Sequence, residues 1–204
     1  MGHLSEDERA YVRRLKDLHI LRVFSAADMR KLTKNGGVSV TCGDGDIDVS
    51  RWHSYAISDR PHEVKSFAGT LNACKEYRGY DPEEESVMVK NIAKGFYAKD
   101  TWTLFLEHHF PCGMAGFYNH TIEEVLYYAY LVSMRFRGDL GTKISKRLLE
   151  IFSIEGVLRE DRIFDFFHVK WINKAKREEQ SMYVFDPDLY AEYFIKPQAE
   201  FGHF

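Results

Sequence analysis

The segment Thr101-Trp-Thr-Leu-Phe-Leu-Glu107 constrains this chain most. It is a short apolar run without the alternation of a half-exposed strand, so it reads as a strand buried on both faces. Such a strand needs cover on either side, the situation of a parallel sheet flanked by helices. The surrounding sequence supplies the other layers. Val38 to Thr41 alternates β-branched residues and reads as a strand, set off by the breaker Asn35-Gly36-Gly37. Glu63 to Phe67 reads as another, ending at Ala68-Gly69. Arg162 to Ile172 and Met182 to Phe185, joined by the charged turn Asn173 to Gln180, read as a hairpin.

Helical patterns lie between the strands. Ser5 to Leu32 reads as helical, with Tyr11, Leu15, Leu18, Ile20, Leu21 and Phe24 at near-helical spacing. Asp81-Pro82 opens a helix to about Ala98, with Pro in the first turn and three glutamates at the positive end of the dipole. Thr121 with Glu124 forms a capping box before Val125 to Met134. Ile144 to Phe152 is amphipathic, and Asp188 to Phe194 reads as a short helix. The expected fold class is α/β: a mostly parallel central sheet flanked by helices, with an antiparallel edge hairpin. With 204 residues, no repeat and no linker, one domain is expected. It would comprise an N-terminal helical arm (1–34), a core (38–186) and a C-terminal tail (187–204).

Composition narrows the function classes. The chain has 28 basic and 31 acidic residues, a net charge of -3, which argues against a general nucleic-acid binder. No apolar stretch is long enough for a membrane span, and the polar start lacks the features of a secretory or transit signal. Three cysteines, an odd number, argue against a disulfide framework and for a reduced, cytoplasmic protein.

Two of those cysteines carry the chemistry. Cys42 directly follows the first strand, and His109 and Cys112 follow the strand at 101–107. In an open parallel sheet, ligands bind at the carboxyl ends of strands. If these strands are neighbours, Cys42, His109 and Cys112 converge. Two thiolates and an imidazole suit Zn²⁺, and three protein ligands leave a fourth position open, as in catalytic zinc sites. Two other readings compete. A strand-end cysteine is often a small buried hydrophobe, and Cys112 with His109 could form a nucleophile pair, although that leaves Cys42 unexplained. Cys74 has no partner motif and reads as structural. His108 adjoins His109 but falls outside the His-x-x-Cys spacing, so it is expected to point to the opposite side. Asp44-x-Asp46-x-Asp48 is not a calcium loop, because Val49 and Tyr55 stand where Gly and Glu are needed. Tyr127, Tyr128 and Tyr130 read as core and dimer interface, and Lys174 to Glu179 as an exposed turn.

Cys42-Gly-Asp44 after a strand, followed by His109-Phe-Pro-Cys112-Gly113 after a later one, resembles the β-class carbonic anhydrases. That family carries Cys-x-Asp-x-Arg on its first strand and His-x-x-Cys-Gly after its third. Lys65-Ser-Phe-Ala-Gly69 stands where the family has Arg-Asn-Ala-Gly-Asn, and His168 to Phe185 is similar to its closing hairpin. The resemblance covers roughly residues 38–186. It implies Zn²⁺ held by Cys42, His109 and Cys112, with Asp44 orienting the attacking water or swinging in as a fourth ligand. It further implies interconversion of CO₂ and bicarbonate through zinc-bound hydroxide. A homodimer or higher homo-oligomer, with the N-terminal helix packed on a neighbouring subunit, is also implied. One departure stands out. Asp46 replaces the arginine that, in the family, holds the aspartate away from zinc. Arg51, Arg60 and Lys65 are the nearby candidates to replace that cation, and Asp46 and Asp48 read equally as loop charges. The alternatives are a diverged homologue whose zinc is closed by Asp44, non-catalytic or acting on another small substrate, and a zinc-stabilised interaction module.

Overall fold

The computed structural model describes residues 4–43, 53, 60–66, 68–172 and 178–197. Six strands form one mixed sheet: β1 (Leu21–Val23), β2 (Val38–Cys42), β3 (His62–Ser66), β4 (Leu104–Phe110), β5 (Ile163–Ile172) and β6 (Glu178–Phe185). Their order is β1-β6-β5-β4-β2-β3. β2 lies parallel to both β3 and β4, and β4 lies parallel to β5. β5 and β6 form an antiparallel hairpin, and β1 adds antiparallel to β6. The expected α/β architecture is present, but β1 and not the hairpin forms that edge.

Among the described residues these helices accompany the sheet: α1 (Glu6–Asp17), α2 (Ala26–Leu32), α3 (Pro82–Lys99), α4 (Gly113–Phe117), α5 (Ile122–Arg137), α6 (Asp139–Phe152) and α7 (Pro187–Tyr190). Their ends follow from local chemistry. Ser5 with Glu8, Ser25 with Asp28 and Thr121 with Glu124 form capping boxes at α1, α2 and α5. Asp81 caps α3 and Pro82 fills its first turn, where a missing N–H costs nothing.

Two sequence expectations need correction. The helix expected over Ser5 to Leu32 is two helices with β1 between them. His19 at φ 59° turns the chain after α1, and Ile20 and Leu21 are then buried against the sheet. Six apolar residues at near-helical spacing therefore serve two helices and a strand: tertiary burial overrides periodicity here. The strand expected at Thr101 to Glu107 is displaced, running from Leu104 to Phe110, so His109 lies within its last turn of pleat and not beyond it. Register explains the shift. Leu104 to Phe110 pairs residue for residue with Ile163 to Val169, and every residue of β4 is buried, its three polar ones included. Polar side chains at 107–109 hid the strand's second half from a reading based on apolar runs.

The two faces of β4 pack differently. Leu104 and Leu106 join the main core beneath α3 and α5. Phe105 joins Phe166 and Met182 in a smaller core closed by Phe24 and Met29 of the α2 region. Phe105 sits 5.8 Å from the Phe166 ring and 5.9 Å from Phe164, fully buried. The buried side of α1, Val12 and Leu15, lies in the chain's own core, and Tyr11 packs edge-on to Phe194 of the tail at 6.1 Å. Among the described residues no helix is long and apolar enough to cross a membrane. Because the smaller core has few members, Phe105→Ala is expected to lower unfolding free energy by about 3–5 kcal/mol, a cavity cost with little room to collapse. Urea denaturation of the variant measures it.

Candidate metal centre

β2 and β4 are parallel neighbours, so their carboxyl ends open at the same edge of the sheet. The register pairs Val40 with Leu106. Extending it by two residues sets Cys42 level with His108 and one step from His109. Cys112 follows two residues beyond β4, at the start of α4, where the Gly116 amide closes the first turn on its carbonyl at 2.8 Å. The result is a buried cluster in which one ligand atom each from Cys42, His109 and Cys112 lies within 4.8 Å of the others.

The donor set fits a metal ion. Tetrahedral coordination by two sulfurs and one nitrogen needs ligand-atom separations of about 3.6–3.8 Å, within that limit. The Nδ1–H of His109 donates to the Pro111 carbonyl at 3.0 Å. This fixes the tautomer and puts the lone pair on Nε2, the arrangement that orients metal-binding imidazoles. The Cys112 thiol is pulled down to about 5, chiefly by its hydrogen bond with Cys42. Burial, which would raise it, is outweighed once His109 and the Ala115 amide contribute. Thiolate is the form a metal requires.

Backbone packing holds Cys42 in place. Gly69 has φ +58°, and a Cβ there would lie 2.9 Å from the backbone N and Cα of Cys42. Only glycine allows both this conformation and this approach, which gives the Ala68-Gly69 pair a physical role. Tyr77 lines the region, its hydroxyl donating to the Met114 carbonyl at 3.4 Å. Burial, then the negative charge of Cys112, holds its phenol well above the ordinary range. No sequence pattern pointed to Tyr77, because an isolated tyrosine after a loop carries no motif.

The structure also brings together buried polar residues that no sequence pattern pairs. Glu107, almost fully buried, accepts hydrogen bonds from His168 Nε2, from His53 Nε2 (3.3 Å) and from the Ser39 hydroxyl (3.1 Å). His53 Nδ1 donates to Glu63 at 3.0 Å, and Gln180 donates to His168 Nδ1 at 3.0 Å. Burial works against the Glu107 charge, yet the two histidines outweigh it and hold its carboxyl far below the usual range. The same balance, with opposite sign, raises His53: burial disfavours its charge, and Glu107 and then Glu63 outweigh burial. On the other side of β4, His108 Nε2 donates to Asp165 (3.4 Å) and Nδ1 accepts from Thr70 (2.8 Å). Asp165 is completed by Ser133 and Arg137, each at 2.9 Å. His108 is thus engaged away from the centre, as its spacing implied.

The remaining sequence candidates are placed as follows. Cys74 is buried, its thiol pushed up to about 12 by burial, and stands apart from the cluster. Lys65 pairs with Glu63 at 3.1 Å, and Arg60 is exposed. Asp44, Asp46, Asp48 and Arg51 lie outside the described residues, as does most of the 174–179 charge run.

The fold and site define an α/β protein with a buried Cys₂His cluster able to hold a metal ion. No protein-family model matches the chain, and neither the curated proteins nor the solved structures contain a match.

Two outcomes follow from this geometry. The metal-free chain should take up close to one Zn²⁺ per chain, and Cys42→Ser or Cys112→Ser should lose most of that capacity, read by elemental analysis after dialysis. The raised pKa of His53 sets the second. Its stabilising charge is fully present below the unfolded value of about 6.5 and is lost as pH rises through the higher folded value. The urea midpoint should therefore fall as pH climbs above that unfolded value, and His53→Gln should flatten that limb. An unchanged slope in the variant would remove His53 from the account.

Proposed function

We propose that this chain is a zinc enzyme of the β-class carbonic anhydrase type, interconverting CO₂ and bicarbonate. One observation carries the reading. Cys42, His109 and Cys112, picked out by their resemblance to the family's motifs, meet in one buried cluster at the carboxyl ends of adjacent parallel strands. Three protein ligands of this softness select Zn²⁺ over hard cations and leave a coordination position open.

Cys42, His109 and Cys112 would hold the ion, with His109 kept in register by the Pro111 carbonyl. Bound Zn²⁺ would act as a Lewis acid and bring the pKa of water towards about 7. Asp44, next to the Cys42-Gly43 corner, would orient the attacking water by accepting its hydrogen bond. Gly43 brings the chain close here, its amide donating to the Ser66 carbonyl at 2.8 Å. Homo-oligomerisation and a cytoplasmic location belong to the same proposal, by resemblance to the family.

Asp46 supports a second reading. It stands where the family has its arginine, Lys65 is engaged by Glu63, and Arg60 is exposed. Unless Arg51 supplies the missing cation, Asp44 would serve as a fourth ligand and close the site, leaving a homologue that is non-catalytic or acts on another small substrate.

The two readings separate in one experiment: CO₂ hydration by stopped flow on protein of measured zinc content, from roughly pH 6.5 to 9, the range in which metal-activated water ionises. The anhydrase reading expects hydration that rises with pH and is lost in His109→Ala. Full zinc occupancy without hydration at any pH selects the closed site, and Asp44→Asn should then loosen the metal.

A further inference from the structure

A second concave site lies away from the metal centre. A cleft of about 490 Å³ opens between Lys75, the first turns of α3 and the exposed side of α6. That volume lies within the range of small-ligand pockets. Four cations line it (Lys75, Lys143, Lys146 and Arg147) against two carboxylates, Glu85 and Glu150.

Those carboxylates are already committed. Glu85 is buried and receives Arg135, Lys143 (2.7 Å) and the Tyr80 hydroxyl (3.0 Å). Burial would raise its pKa, but Arg135 and Lys143 outweigh it, so the charge on Glu85 is spent inside the wall. Glu150 pairs with Arg147 at 2.8 Å, with both side chains about half exposed, an arrangement that holds weakly and gives way to a better anion. Asp139, beside the cleft, pairs with Arg135 at 2.8 Å and lies 3.9 Å from Lys143, and it feels the charge of Lys75. With Arg135 and Asp139 counted on either side the balance of the cleft is unchanged, and Lys75 and Lys146 lie on its exposed lining. The cleft therefore carries a local surplus of two positive charges on a chain whose net charge is -3. Val89, Pro82 and the Tyr80 ring add apolar lining.

We propose that this cleft binds a phosphorylated metabolite of mononucleotide size. A phosphate dianion matches the two surplus cations, and the apolar lining accepts the organic body. The chain's negative balance argues against an extended nucleic acid, which needs a basic surplus over a long track. The site is independent of any reaction at Cys42, His109 and Cys112.

The probe is AMP, titrated calorimetrically into the full chain, with adenosine and inorganic phosphate as comparisons and amide chemical shifts to locate binding. One AMP per chain is expected, bound more tightly than either comparison, with shifts centred on Lys75 and α6. The double charge reversal Lys75→Glu/Lys146→Glu should weaken AMP at least about tenfold, because attraction becomes repulsion, with circular dichroism and Tm unchanged. Affinity should fall between roughly 50 and 300 mM salt. No saturable AMP binding, equal binding of adenosine, shifts centred elsewhere, or an unweakened double variant would each overturn the proposal.

Discussion

The parallel pairing of β2 with β4 is the contact on which the rest of the structure depends. It sits near the middle of the sheet, flanked by β3 on one side and β5 on the other. It joins segments far apart in sequence, so its loop-closure entropy must be offset by burial on both faces. Leu104, Leu106, Val38 and Val40 provide that burial on one side, and Phe105 on the other. Once the strands are locked in register, their carboxyl ends coincide, and the candidate metal cluster is a consequence of where those ends fall.

Glu107 ties that pairing together with polar bonds. A carboxylate buried at the centre of a sheet is costly unless paired and hydrogen-bonded. Here Ser39 reaches it from β2, His168 from β5 and His53 from the segment after β2. His108 and Asp165 do the corresponding work on the opposite face. The strand that carries the candidate ligand His109 next to its last residue is thus clamped on both sides by buried polar networks. Such networks have few alternative arrangements, which suits a strand whose penultimate side chain must be held in a fixed position.

The candidate metal centre and the basic cleft are built on opposite principles. At the cluster, burial, the Pro111 carbonyl and the Gly69 contact remove freedom from three candidate donors of matched softness. At the cleft, one buried carboxylate absorbs two cations and leaves the others facing solvent. The first arrangement is suited to a small ion held tightly, the second to a larger anion that comes and goes.

Much of the fold was legible in the sequence, because local signals state it. Capping residues at Ser5, Asp81 and Thr121 mark helix starts, the β-branched run at 38–41 marks a strand, and the spaced runs at 162–172 and 182–185 mark a hairpin. The His-x-x-Cys spacing and a strand-end cysteine likewise nominated Cys42, His109 and Cys112. What the sequence by itself determined is this inventory of elements and chemically suited residues. Tertiary structure alone decided that β2 and β4 are neighbours, that Leu21 to Val23 leaves a helical pattern to become a strand, and that β4 extends through two histidines. It alone decided that Glu107, His53 and His168 share one network. Local propensity and spacing act over a few residues. Strand order, burial of charge and the meeting of distant side chains depend on which surfaces can be removed from water together, a property of the whole chain.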